Sequence, residues 1–104
     1  MVKRIAMFAL AEGQSEDEVW TYWLEKHARE VAKLPGIKRY TISRVTEVFK
    51  GETKYWGVAE MWTETKEDWE RAFAQKEKDE FGSMIGEPRF AAWVEEEVLV
   101  EWSR

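Results

Sequence analysis

The chain has 104 residues, enough for one domain with a small core. Its net charge of −5 argues against non-specific nucleic-acid binding, and the absence of cysteine removes disulfides, thiolate catalysis and Cys-based zinc or iron–sulfur sites. No apolar run approaches the ~20 residues needed to span a bilayer, so a cytoplasmic protein without a membrane partner is expected.

The chain opens MVKRIAMFALAEG. Its basic start and apolar run turn acidic too soon for a leader peptide, so a strand is expected over residues 2–10. Both alternating sets, Ile5/Met7/Ala9 and Ala6/Phe8/Leu10, are apolar, as in a strand covered on both faces. Ser15 to Glu18 then reads as a capping box with an acidic first turn, and a helix follows over 16–33. On a helical wheel of about 100° per residue, Trp20, Trp23, Leu24, His27, Val31 and Leu34 share one arc. Pro35-Gly36 stops this helix.

Residues 37–49, rich in Ile, Val, Thr and Tyr, predict a second strand. A turn at 50–53 and a third strand over 54–63 complete a hairpin. In the third strand Trp56, Val58, Glu60 and Trp62 are expected to share a face. Thr65 caps a second helix whose buried stripe is Trp69, Ala72 and Phe73. Lys76 lies on that stripe, so the helix should loosen over 75–78. Phe81, Met84 and Ile85 suggest a short further helical piece ending at Gly86. The segment 89–93 has no assigned form, and residues 95–102 alternate as a Glu-rich fourth strand suited to a sheet edge.

The order β-α-β-β-α-β over a single domain, 1–104, predicts an α+β, ferredoxin-like fold with two helices on one face of a four-stranded antiparallel sheet. The helices cover only one face, yet the first and third strands are apolar on both. A second copy of the chain is therefore expected against the open face, giving a homodimer through the sheet. The seven tryptophans exceed what one small core usually buries and suggest a pocket lining, an interface, or both.

The chain's only histidine, His27, sits mid-arc on the first helix. It reads either as a core histidine satisfied by its neighbours or as a general acid/base. No second His or Cys accompanies it as a metal ligand, so no metal site is expected, although one His suffices as a haem axial ligand. Glu60, on an otherwise apolar strand face, is either a structural partner of Arg39 or Arg44 or a group orienting His27. Tyr40 and Arg44, on one face of the second strand, either pack ordinarily or hold a substrate carboxylate or oxyanion. Trp23, Trp56, Trp62 and Phe90 are candidates to line an aromatic pocket. No phosphate-binding Gly loop, nucleophile elbow or zinc-protease motif is present.

The run YWLEKHAREVAKLPGIKRY resembles the signature of EthD-domain proteins, within the dimeric α/β barrel superfamily. Trp23, His27, Leu34, Pro35, Gly36, Arg39 and Tyr40 carry the resemblance, with Glu60, Trp62 and Arg89-Phe90 following. The resemblance implies a ferredoxin-like subunit that dimerises through its sheet and holds a pocket between helices and sheet. The functions of that family are scattered, and the one expected of this chain, if it is an enzyme, is cofactor-independent and of isomerase, cyclase, decarboxylase or monooxygenase type. Such an enzyme would act on a small cyclic or aromatic compound, with His27, Tyr40 and Glu60 as the catalytic set. Trp23, Arg44, Trp56, Trp62 and Phe90 would then bind the substrate. The alternative is a non-catalytic binding protein for a hydrophobic small molecule or haem.

Overall fold

In the computed structural model, which describes residues 1–102, the two-sided apolar opening forms β1, Val2–Leu10. The capped segment becomes α1, Glu16–Tyr22, which continues through a π turn, Trp23–His27, into α2, Ala28–Ala32. The Ser15 hydroxyl accepts the Glu18 amide, and Gly36 follows the helix with a φ of 89° that favours glycine. β2, Arg39–Arg44, and β3, Gly57–Thr63, precede α3, Lys66–Ala74, and the single turn α4, Phe81–Met84. The last strand is β4, Ile85–Val94. The strands form one antiparallel sheet in the order β2-β3-β1-β4, the ferredoxin-like order, with the helices on one face.

Three expectations are corrected. The fourth strand is not 95–102. Residues 85–94 take the free edge of β1, from Leu10 opposite Ile85 to Lys3 opposite Val94. Since β1 begins at Val2, almost no edge is left for the Glu-rich segment behind them. The pairing skips between Phe8 and Ala9, where Glu87 and Pro88 bulge out of the ladder. Second, the hairpin is shorter than the pattern suggested, and residues 45–56 form a long connection tied by Val45 N–H to Trp56 O and Trp56 N–H to Phe8 O. Third, Trp56 does not share a face with Glu60 and Trp62. It precedes β3 and packs against Trp20 and Trp23 under the helix.

The helix-facing side of the sheet carries Arg4, Ala6 and Phe8 of β1, with Met61, Ala59 and Gly57 opposite on β3 and Trp93, Ala91 and Arg89 opposite on β4. Phe8, Val19, Trp23, Ala28, Trp56 and Phe81 make the core on this side. Gly57 is required there: a Cβ would lie 2.3 Å from the Phe8 ring, itself wedged edge-on against Trp23 and Phe81. On the predicted helix arc Trp23 and Val31 are buried, while Leu24 at its rim is 46% exposed. The opposite sheet face presents Ile5, Met7, Val58, Ala92 and Val94 with no helix over them.

Candidate functional site

Between helices and sheet lies a cavity of about 460 Å³, lined mainly by apolar and aromatic side chains. From the first helix come Trp23, His27 and Val31. From the sheet come Arg4, Ala6, Phe8, Tyr40 and Met61, and from the second helical region Trp69, Phe73 and Phe81. The π turn sits where the helix crosses this space. The Ala28 N–H reaches the Trp23 carbonyl there, and such bulges recur at functional sites.

His27 stacks on Phe81, centroids 4.6 Å apart at 25°. Its Nδ1 lies 2.8 Å from Oδ2 of Asp79, whose side chain is buried. Asp79 has two other ties, one of which leads on to a further acid. Its Oδ1 accepts the Phe81 amide at 2.8 Å, Lys76 Nζ lies 3.1 Å from Oδ2, and Lys76 is in turn 3.1 Å from Glu30. Burial alone would push the Asp79 carboxyl up. The hydrogen bonds from His27, the Phe81 amide and Lys76 outweigh it and hold the carboxyl below its ordinary value. Asp79 is therefore ionised at neutral pH and acts as an acceptor. An acceptor at Nδ1 selects the tautomer with the proton on Nδ1. Nε2 has no hydrogen-bond partner among the described residues, and the ring borders the cavity.

Tyr40 also lines the cavity. Burial pushes its phenol up to about 12, against a smaller opposing effect of the Trp23 side chain. It stays a neutral hydroxyl at physiological pH and can donate to an oxygen that gains charge.

Three of the expected site residues, Trp23, His27 and Tyr40, thus meet at one cavity, and Phe90 borders it while remaining 44% exposed. The others lie elsewhere. Glu60 is on the far face of the sheet, 3.1 Å from Lys3. Trp62 is beside it, its Nε1 donating to Glu96 at 2.7 Å beneath Lys3 and Arg39. Arg44 shares Tyr40's face but pairs with Asp17 at 3.1 Å over the Trp20 ring. Trp56 supports Trp23 from the core. Sequence reasoning missed Asp79, Arg4, Trp69 and Phe81 as parts of the site. The usable signal for Asp79 was its position two residues before an apolar helix start, the spacing at which an Asp side chain accepts a backbone amide.

No group of three or more His, Asp or Glu among the described residues is placed to hold a metal ion, and no described helix is long and apolar enough to cross a membrane. A family model described as the EthD domain matches residues 11–92. The fold is similar to an ethyl tert-butyl ether d (EthD) family protein from Bacillus halodurans, at 24% identity and a TM-score of 0.72, over 93% of this chain and 99% of that one. It is similar to SnoaB, a cofactor-independent oxygenase from Streptomyces nogalater, at 15% identity and a TM-score of 0.66, over 95% and 97%. A dimeric, ferredoxin-like protein of unknown function from Bacteroides fragilis aligns at 17% identity and a TM-score of 0.66, over 90% and 94%. No functionally curated protein matches the sequence.

Proposed function

We propose that this chain, which belongs to the EthD-domain family, is a homodimeric enzyme that moves a proton on a small cyclic or aromatic compound without metal or organic cofactor. One observation carries the reading: Nδ1 of His27 is tied to buried, ionised Asp79, and Nε2 is left free at an aromatic cavity. In this reading Nε2 takes a proton from a carbon or oxygen of the ligand, and Tyr40 donates a hydrogen bond to the oxygen that becomes negative. Asp79 has the orienting part that the sequence suggested for Glu60. Proton transfer to or from a carbon or oxygen of the ligand is a step common to isomerase, cyclase, decarboxylase and cofactor-independent oxygenase chemistry. The oxygenase relative is consistent with that class.

The test is an exchange screen in deuterium oxide over small cyclic ketones, lactones and phenols, read by NMR. The expected result is protein-dependent deuterium incorporation at a carbon next to the activated oxygen for at least one member. Compounds that bind in the cavity without any exchange would instead assign the chain a non-catalytic binding role.

The dimer is the second part of the proposal. Its support is the open sheet face and the exposed apolar run Val98, Leu99, Val100 and Trp102, the kind of surface that marks a protein contact. The dimeric relative from Bacteroides fragilis agrees with it. Sedimentation equilibrium should find a particle of two chains, each of 12.4 kDa. The Ile5→Lys variant, which puts a charge in the middle of the open face, should sediment as one chain. A single-chain mass for the unmodified protein would refute the dimer.

A further inference from the structure

The cavity has a second end, away from His27. Arg4 projects from the helix-facing side of β1, and its guanidinium lies 3.9 Å from the Trp69 ring centroid and 5.7 Å from that of Trp93. Arg4 makes no ion pair and no side-chain hydrogen bond among the described residues. That is unusual in a chain with 21 acidic residues, most of whose basic side chains near the site are paired. Burial penalises its charge, with no carboxylate to offset the penalty. The other arginine bordering the cavity, Arg89, already holds Glu87 at 3.2 Å. No Asp or Glu lines the cavity. The Trp69 indole N–H beside Arg4 is buried without an acceptor. This end of the cavity therefore has donors and a cation but nothing for them to bind. A partly desolvated, unpaired guanidinium held over an aromatic ring can take a planar anion through two parallel N–H bonds.

We infer that Arg4 is the anchor for a carboxylate, so that the cavity's ligand is an organic acid with an aromatic or alicyclic body. The acid group lies against Arg4 and the body lies among Phe8, Trp23 and Phe81. Arg4 and Phe8 are four positions apart on β1, about 13 Å along the strand. The acid group is thus remote from the atom that His27 addresses: it fixes orientation and is not the reacting group. This assignment rests on the cavity being the ligand site, but it is independent of whether His27 performs chemistry. It also explains why a net acidic protein would accept an anion at all, since the lining is locally basic.

The test compares 4-phenylbutyrate with its uncharged amide at pH 7.5 by NMR shift titration of the full-length protein. The acid should bind roughly tenfold or more tightly than the amide, the scale of a charge-assisted pair. Arg4→Gln should erase that preference, Arg4→Lys should keep part of it, and His27→Ala should leave it intact. Equal affinity for acid and amide in the unmodified protein overturns the assignment of Arg4 while leaving the cavity as a binding site. Persistence of the preference in Arg4→Gln also overturns it. Failure of both compounds to bind overturns the shared premise that the cavity takes ligands of this class. If Arg4→Gln does not fold, the acid-to-amide ratio of the unmodified protein still decides.

Discussion

The Trp23→Ala variant is expected to be less stable than the unmodified chain by about 3–5 kcal/mol in urea denaturation. Trp23 is 1% exposed and stands at the centre of the aromatic cluster. Its ring centroid lies 5.1 Å from Phe8, 5.2 Å from Phe81, 5.6 Å from Trp20 and 5.9 Å from Trp56. Removing it deletes those contacts and leaves a void beside an existing cavity. The neighbours are rings held from several sides, so they cannot collapse into the space. A small domain has only about 5–15 kcal/mol in total, so this one change takes a large share of it. Leu24→Ala, one residue along the same helix but 46% exposed, should cost less than about 1 kcal/mol. Equal losses at the two positions would contradict the placement of the core.

The second large effect concerns chemistry. For any compound whose exchange the protein promotes, His27→Ala should slow exchange by about 10²–10⁴, the usual contribution of a positioned acid/base group. Asp79→Asn should slow it less, because the imidazole remains while its tautomer is no longer fixed. Both variants should keep the circular dichroism of the unmodified protein. His27 is only partly buried, and Lys76 retains Glu30 when Asp79 loses its charge. An unchanged rate in His27→Ala would remove the histidine from the mechanism. The compound would then be activated elsewhere, with Tyr40 the remaining titratable hydroxyl on the cavity.

The first half of the fold was legible because its signals are local. The capping residue Ser15, the Pro35-Gly36 stop and the two-sided apolar pattern of β1 each act within a few residues. The position of His27 on the inward arc could be read for the same reason. The end of the sheet could not. Whether residues 85–94 or 95–102 pair with β1 depends on which segment reaches its edge first, and the bulge at Glu87 and Pro88 breaks the alternation that would have marked the true strand. The site was half legible. Glu60, an acid in an apolar strand, read either as a partner of Arg39 or Arg44 or as a group orienting His27, but it lies on the opposite side of the sheet and pairs with Lys3. The actual partner, Asp79, is 52 residues from His27 within a run of charges, KEKDE, that reads as solvated surface. Arg4 was hidden in the same way: in MVKR it looks like one of two equivalent basic residues. Yet Lys3 and Arg4 point to opposite faces, one to an ionic cap over Trp62 and the other into the cavity.

If Asp79 fixes the His27 ring with its proton on Nδ1, Nε2 is left as a base at the cavity. The chain has one histidine, so long-range proton–nitrogen correlation spectra of histidine-labelled protein report a single imidazole. At a pH where the ring is neutral, Nδ1 should be the protonated nitrogen and Nε2 should carry the lone pair. In Asp79→Asn this preference should weaken. A ring found with its proton on Nε2 in the unmodified protein, or one unaffected by Asp79→Asn, would contradict the account.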